Sequence, residues 1–190
     1  MLNSQLSRYT NEQLSRYTNE QLALLSFLDY VTDRTFEDVE RWRVLRDKGW
    51  LGMTEAERME WLGEVVPTPA ASKGMYTYKD MNRVETIVAS HVQKLSALGY
   101  NFSDIVVKTD WSYTDGQPTR SDMERYLGNI RRLRNCFMVY PTTPAAPSID
   151  QKLNYKLAND IEQILHDIDE IIDKGNESWY FSGEVFSGEV

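Results

Sequence analysis

The chain has 190 residues and a mass of 22.1 kDa, 41% hydrophobic and 26% charged. That is enough to bury a core without disulfides or metals, and it excludes a disordered or collagen-like chain. Lys plus Arg is 21 against 29 Asp plus Glu, a formal net charge of −8, which argues against nucleic-acid binding because phosphate neutralisation needs a basic surface.

No apolar run approaches the roughly 18 residues of a membrane span. The N-terminal residues Met1-Leu2-Asn3-Ser4-Gln5 lack the charged start and apolar run of a signal peptide. Cys136 has no partner for an internal disulfide, and two histidines, His91 and His166, leave little for a His-based metal site.

Taken in order, the chain opens on a tandem duplication: QLSRYTNE at 5–12 recurs at 13–20. An eight-residue step turns a helical stripe by about 80°, so Leu6, Leu14 and Leu22 make no straight seam. Slippage explains the duplication better than a coiled coil, although 1–31 is compatible with a helical extension.

Thr35-Phe36-Glu37-Asp38 opens a helix that runs to Lys48 and stops at Gly49. Thr54-Glu55-Ala56-Glu57 is a capping box before a second short helix over 54–63. Together they predict a helical hairpin over 32–66, followed by a Pro-rich break from Pro67 to Gly74.

A helix over 78–98 carries Met81, Val84, Val88, His91, Leu95 and Leu98 at heptad spacing and ends at Gly99. The β-branched stretch Ile105–Thr109 predicts a short extended segment near 104–109. Another helix follows over 120–138, completing a helical domain over 75–140. Asp80-Met81-Asn82-Arg83 and Asp122-Met123-Glu124-Arg125 echo each other 42 residues apart.

PTTPAAP (141–147) is a stiff connector. The last helix, over 149–174, places Leu157, Ile161, Ile164, Ile168 and Ile171 on one seam. Between 150 and 173, seven acids and two lysines leave −5 on its other faces. Gly175-Asn176 should end it, and the doubled FSGEV (181–185, 186–190) suggests strand-like segments near 179–190. The expected fold is mainly α: amphipathic helices in one or two small bundles joined by Pro-rich connectors, with 148–190 as an acidic helix and tail.

Several runs resemble a known group. TDRTFEDVERWRVLRDKGWLGMTEAERMEWL (32–62), MYTYKDMNRVETIVASHVQKLSALGY (75–100) and KTDWSYTDGQPTRSDMERYLGNIRRLR (108–134) are similar to segments of tail-module proteins from phages and prophages of Gram-positive bacteria. YPTTPAAP with LANDIEQIL (140–165) and WYFSGEVFSGEV (179–190) continue the resemblance in the same order. It implies a non-enzymatic structural component of a tail, baseplate or fibre. Such a protein is made in the bacterial cytoplasm and carried in the virion, with other virion proteins and copies of itself as partners. The doubled QLSRYTNE departs from the pattern.

Candidate contact residues follow from residue type. Trp111, between an extended piece and a turn, suits either stacking on a glycan at the tail tip or, preferably, packing against neighbouring helices. Trp42, Trp50 and Trp61 pose the same choice, and core filling is favoured. Arg120, Arg125, Arg131, Arg132 and Arg134 against Asp122 and Glu124 give a local +3, best read as matching the acids of the last helix within or between subunits.

The seam Leu157–Ile171 suits self-association, since Ile at both heptad positions tolerates higher oligomers; burial within its own chain is equally compatible. His91 on an apolar seam reads as a packed residue. His166 with Asp167, Asp169 and Glu170 reads as a solvated acidic face rather than a cation site. Cys136 reads as a buried inert thiol. No catalytic motif or phosphate-binding loop is present, so no catalytic residue, cofactor or metal is expected.

Overall fold

The computed structural model describes residues 30–62 and 73–186, with side chains as far as 175. The chain divides into two units, Met1–Tyr30 and Val31–Val190; the fold below is that of the second. Both copies of QLSRYTNE, most of the Pro67–Gly74 stretch and residues 187–190 lie outside the described residues.

Among the described residues the unit has five α-helices of a full turn or more and no strand. They are α1 (Phe36–Gly52), α2 (Glu55–Leu62), α3 (Tyr78–Ala97), α4 (Arg120–Arg134) and α5 (Tyr155–Phe186). Mainly helical architecture, as the periodicity predicts, is what forms. The stretch 105–111 is irregular backbone, so the short extended segment expected near 104–109 forms no strand.

Helix starts follow local chemistry. Thr35, Thr77 and Thr119 each cap a helix with a reciprocal box, in which the Asp three residues on accepts from the cap's own amide at 2.7, 2.8 and 2.9 Å. These threonines lie 42 residues apart, so the echo seen in two helices has a third member at Thr35-Phe36-Glu37-Asp38-Val39-Glu40-Arg41. In each, the Arg six residues after the Thr reaches a glutamate on another helix: Arg41 to Glu60, Arg83 to Glu162, Arg125 to Glu85.

Helix stops are equally specific. In α1 the helical path breaks at Gly49 (φ 65°), a left-handed value natural to glycine. In α3, Gly99 (φ 90°) closes a Schellman motif: its amide donates to Ser96 O at 3.0 Å, and Tyr100 N donates to Leu95 O at 3.1 Å.

Two expectations for the last helix are corrected. It begins at Tyr155 rather than 149, because Ser148–Gln151 closes its own turn and Asn154 Oδ1 caps the helix by accepting from Lys156 and Leu157 amides at 2.9 and 3.1 Å. It also runs through Gly175 to Phe186, so 179–186 is helical rather than strand-like. A glycine inside a helix costs only about 1 kcal/mol relative to alanine, and among the described residues no proline or left-handed residue follows to stop propagation.

Helices α3, α4 and α5 run in the same direction. Contacts between α3 and α5 ascend together, from Arg83–Glu162 to His91–Asp169 to Lys94–Asp173. Helix α4 starts beside Tyr76, through Tyr126, and ends where Phe137 meets Tyr100. Consecutive parallel helices need long returns, supplied by 98–119 and 135–154. Between them lies a core of Val84, Ile87, Val88, Leu95, Ile130, Leu133, Ile161, Ile164, Leu165 and Ile168, each no more than 1% exposed. Helices α1 and α2 form a hairpin with a separate small core of Leu45, Met53 and Trp61.

Candidate functional site

The interior holds charge as well as apolar surface. Glu85 on α3, 1% exposed, accepts from both Arg125 terminal nitrogens (2.6 and 2.7 Å), from Trp111 Nε1 (3.0 Å) and from the Lys108 amide (2.7 Å). The carboxylate hydrogen bond, set against burial, holds the Arg125 guanidinium above its ordinary pKa. Asn82 pairs with the Trp111 backbone in both directions at 2.8 Å. One turn of α3 thereby fixes the whole return segment around Trp111.

The glycan-stacking reading of Trp111 is overturned by this geometry. The ring is 5% exposed, and Lys108 Nζ stands 4.1 Å from its centroid. Trp42 and Trp61 stack on each other at 6.3 Å with 12° between planes, and Arg46 lies over Trp42. Of the three hairpin tryptophans, only Trp50 is exposed, at 49%.

A second ionic cluster sits where α3 and α5 begin to pack. Glu162, 0% exposed, accepts from Arg34 and Arg83 at 2.7 Å each and from the Val31 amide at 2.6 Å. Asp80 accepts from the same two guanidinia at 3.0 and 2.8 Å. Burial opposes the Arg83 charge, yet Glu162 and Asp80 hold its pKa above the ordinary value. Tyr76 and Tyr126 share a hydroxyl hydrogen bond beside it, and burial raises both phenols.

The arginines of α4 do not answer the acids of α5. Arg125 takes Glu85, Arg132 takes Asp104 at 2.8 Å, and Arg131 donates to Pro147 O at 3.2 Å. Arg134 donates to the Pro144 and Thr143 carbonyls at 2.7 and 3.3 Å. Only Arg120 reaches toward the acidic segment, 3.6 Å from Asp150 ahead of α5. The charge matching is intramolecular, but these side chains mainly pin irregular backbone, whose carbonyls have no helical partner.

The acids of α5 are likewise partnered inside. Asp167 accepts from Thr143 Oγ1 at 2.5 Å and from Gln163 at 2.7 Å. Asp169 lies 3.3 Å from the fully buried His91 Nε2 and 2.6 Å from Lys94 Nζ. Burial works to raise the Asp169 pKa, but His91 and Lys94 together hold it well below the carboxylate range. His91 is thus the packed residue expected, whereas a wholly solvated acidic face is corrected: Glu162 and Asp167 point inward.

Ile161, Ile164 and Ile168 are covered within the chain, and Leu157 and Ile171 are half-buried. The stripe is therefore not the exposed seam a second copy would need. Cys136 is half-buried rather than buried, with its Sγ 3.0 Å from Arg132 Nη1. No cluster of three or more His, Cys, Asp or Glu side chains suited to a metal ion occurs among the described residues.

What remains open is apolar. A cavity of about 540 Å³ at the far end of the bundle is lined by Leu95, Leu98, Tyr100, Phe137, Ile171 and Ile172. On the hairpin, Phe36, Val44, Trp50 and Leu51 are 53%, 48%, 49% and 92% exposed. The sequence reading missed Glu85, Glu162 and Arg34 as the centres of the structure. The signal for the two glutamates was the Thr-x-x-Asp-x-x-Arg spacing, which points Arg125 at buried Glu85 and Arg83 at buried Glu162, as it points Arg41 at the half-buried Glu60; Arg34 lies outside it. No protein-family model, curated protein or solved structure matches the chain.

Proposed function

We propose that this chain is a non-enzymatic assembly component of a bacteriophage tail or baseplate, whose partners are other virion proteins. The reading rests on five motifs occurring in the order found in tail-module proteins. It is supported by how the clearest of them is used. In Asp80-Met81-Asn82-Arg83-Val84-Glu85, four polar residues hold other parts of the same chain and two apolar residues fill the core. A motif spent on fixing connector geometry is what a rigid building block requires.

The hairpin's exposed apolar residues, with Trp50 and Leu51 adjacent in the chain, are the surface we assign to partner contact. Quantitative mass spectrometry of purified particles should find the chain at a fixed copy number. Recovery only from host lysate, with none in particles, would refute the assignment. A carbohydrate-binding tail-tip module is the competing reading; it loses its platform with Trp111 buried, and a glycan array should show no binding that Trp111→Ala abolishes.

A further inference from the structure

Hairpin α1–α2 carries its own small core, its own tryptophan stack and its own ion pairs, Arg41–Glu60, Lys48–Glu57 and Arg58–Glu55. Its attachment to the three parallel helices is of a different kind. Residues 31–35 lie against α5 through polar contacts: Val31 N to Glu162, and a two-way clasp between the Arg34 backbone and the Asn159 side chain at 3.1 and 2.9 Å. The Arg34 side chain, 2% exposed, inserts between Asp80 and Glu162 and lies 5.4 Å from the Tyr76 ring centroid. In the first turn of α1, Gly74 packs so closely on the Asp38 carbonyl that a Cβ would stand 2.1 Å from its oxygen.

We infer that α1–α2 is an arm that opens as a unit from the bundle, with Arg34 as its latch. Three observations support this. The arm's core is separate, so opening leaves Leu45, Met53 and Trp61 together. The latch site keeps one of its two cations when vacated, because Arg83 Nη2 also reaches both Asp80 (2.8 Å) and Glu162 (2.7 Å). The latch is also incompletely satisfied: Arg34 Nε is buried with no partner among the described residues, which weakens the closed state relative to a fully bonded guanidinium. Local opening drawn from such sparsely fastened units is the usual form of native-state fluctuation. For the arm, opening moves its exposed Trp50 and Leu51 relative to the rigid bundle and frees the carboxylates that held it.

Native-state hydrogen exchange read by mass spectrometry on the full chain tests this. In Arg34→Met, amides of 36–62 should exchange about tenfold faster or more, while those of 120–134 and 164–172 keep their wild-type rates. An increase spread equally over α1, α3, α4 and α5 would overturn the proposal, as would no increase anywhere. Should Arg34→Met fail to fold, Asn159→Ala, which removes the backbone clasp without touching a charge, must give the same confined increase; a global increase there also overturns it.

Discussion

Removing Arg125 should damage the fold more than neutralising Glu85, although the two form one ion pair. In Arg125→Met, Glu85 stays 1% exposed with only the Trp111 indole and the Lys108 amide as donors. Breaking a buried pair in this way costs about 3–5 kcal/mol. In Glu85→Gln the group left behind is Arg125, whose side chain is 23% exposed and which still donates to Val106 O at 2.8 Å. That guanidinium can turn to water, and the Gln oxygen still serves one donor. The new amide faces a donor that it cannot accept from, a desolvation cost of about 1–3 kcal/mol.

The double variant Glu85→Met/Arg125→Met leaves no uncompensated buried charge at this site, so its cost should be below that of Arg125→Met alone. Urea unfolding followed by circular dichroism at neutral pH measures all three. If Glu85→Gln proves the more damaging single change, or the double variant is worse than Arg125→Met, the burial asymmetry on which this ranking rests is wrong.

Other outcomes follow from separate features. Asp169 has a folded pKa below its unfolded value, so its contribution is present above about pH 4 and is lost as the pH falls further; acid unfolding of Asp169→Asn should therefore show a shallower decline below pH 4 than wild type. Gly74→Ala should be strongly destabilising in thermal melts, because its Cβ meets the Asp38 carbonyl, whereas Gly128→Ala, with nothing within 4 Å inside α4, should gain about 0.5–1 kcal/mol. Leu51→Ser, at a position 92% exposed, should change stability by no more than about 0.5 kcal/mol, while reducing incorporation into particles if the hairpin face is the contact surface.

The starts of α1, α3 and α4 were legible in the sequence because capping is local: a Thr and an Asp three residues apart satisfy each other whatever the remainder does. The seam of α3 was legible for a similar reason: Met81, Val84, Val88, His91 and Leu95 are buried, and only Leu98, the helix's C-cap, is exposed instead, at 50%. The end of α5 was not, because Gly175 carries no stop signal of its own; a terminating glycine needs a left-handed backbone, as Gly99 has. The ionic interior was hidden because Glu85, Glu162 and Asp167 have the composition of surface acids, and only the pairing of distant segments turns them inward. Trp111 was ambiguous because an aromatic in a loop reads the same whether it faces solvent or a carboxylate beneath it.

Three helices pointing one way have an electrostatic consequence that an up-and-down bundle avoids. Each contributes roughly half a positive charge at its start and half a negative one at its finish, and here these add. In α3 and α4 the ionisable residues oppose that sum, with Asp80 and Asp122 in the opening turns and Lys94, Arg131, Arg132 and Arg134 in the closing ones, whereas α5 has no acid in its opening turn. The two ends of the bundle are thus electrically unlike, and a neighbour approaching along the axis meets a different surface according to the end it reaches. Orientation is written into the backbone before any side chain at an interface is chosen.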